Sequence, residues 1–170
     1  MENIKYIPPQ EIEKAADKIR QKYDGDSILT DVTRIARENK IEVYEVIFNQ
    51  NDIDGMIETK DNITSIYVNK TNLEVRKRFT IAHEIGHYVL HLSNSNQGPI
   101  VDYRKAIMNY STQEDLIKET QANMFASALL LPKEKLEIEW NIHKDVEFVA
   151  NLFQVSRKAL LIRLDNLGLI

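Results

Sequence analysis

The stretch Ile81–Leu92 reads I-A-H-E-I-G-H-Y-V-L-H-L and contains the arrangement H-E-x-x-H. It places His83 and His87 four residues apart, and residues with this spacing share one face of a helix. Two imidazoles on one face can hold a single metal ion, and Glu84 stands beside them as a general base for a metal-bound water. Three of the four histidines of the chain fall in this segment. The segment therefore predicts hydrolysis that depends on a metal ion, with zinc as the leading choice.

The residues around the motif help to decide between a metal site and an ordinary amphipathic helix that happens to carry histidines. Residues 73–92 follow a helical pattern with one apolar side, and the capping box Thr71–Glu74 predicts where the helix begins. Gly86 lies in the middle of this helix, where glycine costs about 1 kcal/mol relative to alanine. A glycine at such a position indicates that another element passes close by. These features favour the metal site.

A catalytic zinc ion normally has three protein ligands and one open position, so one ligand must come from outside the motif. His91 is a poor candidate, because it lies about 12 Å from His83 along the helix axis. The second strongly helical stretch, Thr112–Leu131, offers Glu119 and Asn123 four residues apart on one face. Glu119 is either the third ligand or a solvated helix charge, and spacing alone leaves both open. Asn123 would accept a hydrogen bond from a ligand histidine and fix its ring.

Three blocks of sequence carry a resemblance to a known family. They are R-F-T-I-A-H-E-I-G-H-Y-V-L-H-L at 78–92, E-T-Q-A-N-M-F-A-S-A-L-L-L-P at 119–132 and, more loosely, V-A-N-L-F-Q-V-S-R-K-A-L-L-I-R-L-D-N-L-G-L at 149–169. In these blocks the chain resembles the ImmA/IrrE family of metallo-endopeptidases. The resemblance runs from about Ile41 to the C-terminus and is weakest before Phe79.

The resemblance implies a zincin-type site with one catalytic Zn²⁺ ion. In that site His83, His87 and Glu119 would be the metal ligands. Glu84 would be the general base, and Asn123 would be the hydrogen-bond partner of a ligand histidine. The implied activity is that of a zinc-dependent endopeptidase cleaving a specific protein, such as a helix-turn-helix transcriptional repressor of a phage or mobile element. The alternative is a catalytically silent, metal-containing regulator that binds protein or DNA, against which an intact Glu84 argues.

Composition limits the other functions. The chain of 170 residues suits a single domain, and its 43% hydrophobic and 28% charged residues are ordinary for a globular protein. It has no cysteine, which excludes disulfides and thiolate metal sites. Residues 1–10 contain no continuous apolar run, so we expect no signal peptide, no contact with a membrane and a cytoplasmic location. A net charge of −4 argues against a general affinity for nucleic acid.

The order of the elements predicts an α+β fold, with a small antiparallel sheet packed on a mostly helical zincin-like domain. We expect helices at about 9–22 and 27–39, then short strands at 41–48, 55–59 and 63–69. The edge strand beside the metal helix would pair with extended substrate backbone, and Thr64–Val68 is the candidate for it. Residues 1–142 should form the zincin-like domain, with residues 143–170 as a C-terminal helix-turn-helix-like subdomain packed on it.

Three residues outside the two site helices are candidates for stabilising the oxyanion or contacting the substrate. Tyr103 and Tyr110 lie in the polar segment 93–110, which joins the site helices, and His143 lies just before the C-terminal helix pair. Connecting segments of this length often carry function. A packed surface loop and a surface histidine are the simpler interpretation of each residue.

The C-terminal residues 145–167 resemble a helix-turn-helix, which raises sequence-specific DNA binding as a second hypothesis. Useful DNA affinity needs several Lys or Arg contacts with phosphates from one face. Here Arg157, Lys158 and Arg163 are offset by acidic residues at positions 145, 147 and 165. We therefore disfavour DNA binding and expect the pair to pack on the core or to recruit a protein substrate.

Overall fold

The computed structural model describes residues 6–49, 53–92, 100–105 and 112–170. In chain order the elements are α1 (Pro9–Tyr23), α2 (Val32–Glu38), β1 (Ile41–Val46), β2 (Ile53–Lys60), β3 (Ile63–Asn69), α3 (Glu74–His87) continued by a π-helical turn (Tyr88–Leu92), β4 (Ile100–Lys105), α4 (Gln113–Leu130), α5 (Lys133–His143), α6 (Val146–Phe153) and α7 (Arg157–Asn166). The predicted α+β class is confirmed. Among the helices described, none has the length and apolar character needed to cross a membrane.

The sheet has the strand order β1–β3–β2–β4 and is mixed. The predicted antiparallel arrangement holds for the β2–β3 and β2–β4 pairs, whereas β1 pairs with β3 in parallel. A two-residue turn, Asp61–Asn62, joins β2 to β3 in a tight hairpin, with φ values of 51° and 63° that match a type I′ turn. Because β2 occupies one side of β3, β1 lies on the other side.

This strand order corrects the predicted substrate edge. Thr64–Val68 lies within β3, between β1 and β2, so these residues form the interior of the sheet and not an edge. The outer strands of the described sheet are β1 and β4. Residues 100–105 fall in the segment that the sequence predicted to be a loop.

Helix α3 lies between the sheet and α4, and its C-terminal half is buried on all sides. Every residue from Thr80 to His87 is buried, so the polar side of the predicted amphipathic helix faces protein. The apolar side joins a core that contains Ile57 and Ile66 from the sheet and Phe125 from α4, each 0% exposed. Burial on this scale is what holds a short helix in place.

Two helix starts differ from the prediction. The capping box at Thr71 is wrong, because α3 begins after Leu73 and the Thr71 hydroxyl donates to Oδ1 of Asn69 at 2.8 Å. The second helix begins at Val32 and not near residue 27, since Asp31 caps it by accepting from a backbone N–H at 2.9 Å.

The C-terminal helices are capped as the sequence predicts. Asp145 and Ser156 each accept from the backbone N–H three residues later, at 2.9 and 3.1 Å. Arg163 of α7 points inward, where its Nε donates to the carbonyl of Leu131 at 3.1 Å and its guanidinium pairs with Glu13 of α1. These contacts join α7 to the rest of the protein, and the division at residues 142 and 143 stays a prediction.

Candidate metal centre

Helices α3 and α4 approach each other closely at Gly86. A Cβ atom added to Gly86 would lie 3.1 Å from Cδ1 of Phe125 and 3.2 Å from the backbone of Ala122. Such distances are shorter than ordinary van der Waals contact, so a larger residue would push the helices apart. The prediction that another element passes close to this glycine is confirmed.

Three side chains from the two helices meet beside this contact, namely His83 and His87 from α3 and Glu119 from α4. The Nε2 atoms of the two histidines are 2.9 Å apart. Oε1 of Glu119 lies 3.0 Å from Nε2 of His87, and Oε2 lies 3.3 Å from Nε2 of His83. The two histidines are 0% and 1% exposed and the glutamate 9%, so three potential ligands converge in a buried place.

The chemistry of this group fits a divalent metal ion. Ligand atoms about 2.0–2.1 Å from a tetrahedral zinc ion lie about 3.3 Å from one another. The observed separations, 2.9 to 3.3 Å, are close to that value. Imidazole nitrogens and a carboxylate suit zinc, and they also suit manganese and cobalt. The site therefore has the donors for such an ion, although the donors alone do not select zinc.

Glu119 is not a solvated helix charge. Its burial raises the pKa of the carboxyl, but hydrogen bonds with His83 and His87 outweigh this and hold the pKa well below its ordinary value. The side chain is therefore a carboxylate at neutral pH, which is the form that binds metal. Glu114 on the same helix shows the contrast, with a side chain 49% exposed that pairs with Lys118 on the surface.

Asn123 lies one helical turn after Glu119 and contacts the ring of His83. Its Oδ1 atom is 2.9 Å from Nδ1 of His83. An amide oxygen can only accept a hydrogen bond, so Nδ1 of His83 is the donor in this pair. A metal ion would then be bound through Nε2, which lies on the side of His87 and Glu119. This is the arrangement that orients a metal-binding histidine.

Glu84 is 1% exposed and lies on the side of α3 that faces β2. Strand β2 passes it at Gly55, where an added Cβ atom would lie 2.4 Å from Cγ2 of Thr80, 2.8 Å from the carbonyl oxygen of Tyr67 and 3.8 Å from Oε1 of Glu84. Only glycine allows the strand to lie this close to α3. Gly55 is not among the residues singled out from the sequence, although a glycine inside a strand is itself a signal of close approach.

The two tyrosines singled out from the sequence are not shown to join this group. Tyr103 belongs to β4, where its backbone lies opposite Met56 of β2. Tyr110 lies outside the residues that the structure describes. Their assignment as oxyanion donors stays a prediction.

The two remaining histidines have different surroundings. His143 ends α5, lies 3.4 Å from Glu139 and contacts Phe148 with 4.1 Å between the centroids of the tilted rings. Its role as an oxyanion donor stays a prediction. The ring of His91 lies 5.8 Å from that of His87 between centroids. His91 is not part of the three-residue group, in agreement with the axial distance that disfavoured it.

A comparison with protein families identifies the chain. The profile named Peptidase M78, described as the IrrE N-terminal-like domain, matches residues 36–165, a range that includes α3 and α4. No curated protein gives a match to the sequence. The match covers most of the chain and confirms the resemblance to the ImmA/IrrE family. The chain therefore belongs to the IrrE N-terminal-like family of peptidases.

Proposed function

We propose that the protein is a zinc-dependent endopeptidase in which His83, His87 and Glu119 hold the metal and Glu84 is the general base. The observation that carries this proposal is the convergence of three buried ligand atoms within 4.8 Å on two packed helices. When bound, zinc supplies a Lewis acid that polarises the scissile carbonyl and activates water. Membership of a peptidase family supports the proposed activity, and the two imidazoles and the carboxylate support the proposed metal.

The side chains around the ion have separate tasks in this proposal. Glu84 accepts a proton from the attacking water and later delivers it to the departing amine. Asn123 holds the ring of His83 in the tautomer that keeps Nε2 free for the metal. The reaction needs no covalent intermediate with the protein.

The substrate would bind in extended form along β4. This strand lies on the outside of the sheet beside β2, and β2 passes directly against the Glu84 side of α3. An extended segment added to that edge would form backbone hydrogen bonds with β4. We take the substrate to be a specific protein, a helix-turn-helix transcriptional repressor of a phage or mobile element, on the strength of the family resemblance. Cleavage of such a repressor would take place in the cytoplasm.

DNA binding by the C-terminal helices is not part of the proposal. Arg163 is 6% exposed and occupied by Glu13, and the exposed Arg157 lies 3.4 Å from Glu147. Of the three basic residues that suggested DNA binding, Lys158 is therefore the one for which the described part of the chain shows no ion pair. A single lysine supplies too little phosphate contact for useful affinity.

The proposal is tested with wild type and three variants, Glu84→Gln, Glu119→Ala and Glu114→Ala, all purified without added metal or chelator. Zinc measured by elemental mass spectrometry should be stoichiometric in wild type, Glu84→Gln and Glu114→Ala, and much lower in Glu119→Ala. Wild type and Glu114→Ala should cleave a purified candidate repressor at one bond, whereas Glu84→Gln should not. Glu114→Ala is the matched control, because it removes a surface carboxylate from the same helix.

Three results would contradict the proposal. Zinc retained equally by Glu119→Ala would mean that the third ligand is wrong. Full cleavage by Glu84→Gln would mean that Glu84 is not the general base. A third result would favour the catalytically silent regulator. In that case wild type would contain stoichiometric zinc and cleave no protein, yet bind the repressor as tightly as Glu84→Gln does.

A further inference from the structure

Strand β2 carries a β-bulge one residue before Gly55. Along the β2–β4 pair the register changes from Ile53 opposite Lys105 to Gly55 opposite Arg104, so Asp54 is an extra residue in the ladder. The side chain of Asp54 is 7% exposed. Bulges are common beside active sites, where they redirect a side chain or terminate strand pairing. The bulge here frees a buried carboxylate for contacts outside the sheet.

The Asp54 carboxylate ties β2 to the beginning of α3. Its Oδ1 accepts from Nδ2 of Asn72 at 2.8 Å, and its Oδ2 forms an ion pair with Arg76. Both partners belong to the first turn of α3 or the residues just before it, where the helix dipole favours a negative charge. Asn69 adds a second link, since its Nδ2 donates to the carbonyl of Ile53 at 3.0 Å. Two successive residues of β2 are thus held by the β3–α3 connection.

The anchored residue directly precedes Gly55, the residue at which β2 comes close to Glu84: a Cβ atom added there would lie 3.8 Å from Oε1 of Glu84. Gly55 lies between Thr80 and the backbone of Tyr67, and the Glu84 carboxylate is next to it. The position of the β2 backbone therefore limits the space in which that carboxylate can move. An outward shift of β2 would give Glu84 additional rotamers and would admit water beside it.

We propose that Asp54 is a positioning residue for Glu84. Through the bulge and the ion pair with Arg76, Asp54 holds the β2 backbone at Gly55 against α3 and so keeps Glu84 in its working orientation. This inference rests on the proposed function, because it requires Glu84 to be the general base. It also predicts that the effect of Asp54 is on catalysis and not on the metal, since Asn72 and Arg76, which Asp54 holds, lie at the beginning of α3, before the turns that carry the ligand histidines.

The same helix offers a matched control. Lys77 of α3 lies 2.9 Å from Glu45 of β1, so a second ion pair joins α3 to the sheet; here the carboxylate is the more exposed partner, and Lys77 also pairs with Glu74. That pair holds β1, which is separated from β2 by β3. Glu45→Gln therefore removes a strand-to-helix ion pair from α3 without changing β2, the strand that passes close to Glu84.

The experiment compares wild type, Asp54→Ala, Asp54→Asn, Arg76→Gln and Glu45→Gln as zinc-loaded full-length proteins. Hydrogen exchange of residues 53–60 is followed by mass spectrometry, and kcat and KM are measured with a quenched fluorogenic peptide spanning the bond cleaved in the repressor. Asp54→Ala and Arg76→Gln should exchange faster in β2 and lose about 10- to 100-fold in kcat, the range expected for a displaced catalytic group. Zinc content should be unchanged and KM should change less than kcat. Asp54→Asn should lie between Asp54→Ala and wild type, because an amide oxygen still accepts from Asn72.

Several outcomes would overturn the proposal. They are unchanged kcat in the Asp54 and Arg76 variants, unchanged exchange in β2, an equal loss in Glu45→Gln, or loss of zinc together with activity. The side chain of Arg76 is 41% exposed, so we expect Arg76→Gln to fold. This variant therefore tests the ion pair even if Asp54→Ala fails to fold. A wild type that cleaves nothing would refute the proposed function and with it the positioning role. The exchange data would then still show whether Asp54 holds β2 against α3.

Discussion

Gly86 of α3 and Ala122 of α4 face each other so closely that a Cβ atom on Gly86 would lie 3.2 Å from both the Cα and the carbonyl oxygen of Ala122. Glu119 lies one helical turn before this contact region on α4, and His83 and His87 lie on either side of Gly86 on α3. The distance between the two helices therefore determines whether the glutamate can reach the histidines.

Replacing Gly86 by alanine should destabilise the protein and weaken zinc binding. Overpacking costs about 1–3 kcal/mol. Phe125 and Ala122 are 0% exposed and closely surrounded, so we expect this cost to exceed the gain of about 1 kcal/mol in helix propensity. Separation of the helices would also move Glu119 away from His87. Urea unfolding and competition with a zinc chelator measure the two effects. A variant more stable than wild type would show that the helices can adjust without loss.

Replacing Asn123 by leucine should reduce zinc affinity by about 10- to 100-fold, the usual effect of losing the partner of a ligand histidine. Asn123→Asp should retain the affinity, because a carboxylate oxygen also accepts from Nδ1 of His83. Competition titrations with a chelator at neutral pH distinguish the two variants. Equal affinities in Asn123→Leu and wild type would mean that the His83 ring is held by its surroundings alone.

The carboxylate of Glu119 should stabilise the zinc-free protein in a pH-dependent way. Its pKa in the folded protein is lower than the ordinary value of 4.5, so its contribution is present above that value and is lost as the pH falls through the folded pKa. The free energy of unfolding should therefore be larger in wild type than in Glu119→Gln from pH 7 to about 5. The difference should shrink below about pH 4.5. Urea unfolding in the presence of a chelator measures it, and a difference that grows on acidification would contradict the shift.

Replacing Arg163 by methionine should lower the free energy of unfolding by about 3 kcal/mol, because breaking a buried pair leaves Glu13 without its partner. This is the lower end of the usual range, since the side chain of Glu13 is 25% exposed. The double variant Arg163→Met with Glu13→Met should recover part of the loss. Denaturant unfolding of wild type, the two single variants and the double variant gives a double-mutant cycle. Strictly additive losses in the free energy of unfolding would show that the two residues do not interact.

The sequence alone predicts the features that depend on residues close in the chain. The spacing of His83 and His87 predicts a shared helix face, and Glu119 with Asn123 repeats that spacing on a second helix. Gly86 even predicts the close contact between the two helices. Each of these predictions follows from helical periodicity, which a single sequence displays directly.

The features that depend on strand order could not be predicted in this way. The composition of Thr64–Val68 suits an edge strand as well as an interior strand. These residues lie in the interior of the sheet only because β1 pairs with β3 in parallel. Strand β4 comes from a polar segment whose pairing with β2 is a tertiary effect. Asp54 likewise gains its role from a bulge and from Arg76, which lies 22 residues away in sequence.

The match to the family begins at residue 36, yet the fold begins earlier. Helix α1 contributes Ile12 and Ala16 to the core, at 1% and 0% exposed, and its Glu13 neutralises Arg163. A fragment trimmed to residues 36–165 would uncover that apolar surface and leave a buried cation without its counterion. The unit to be expressed, or transplanted into another protein, is therefore larger than the region by which the family is recognised.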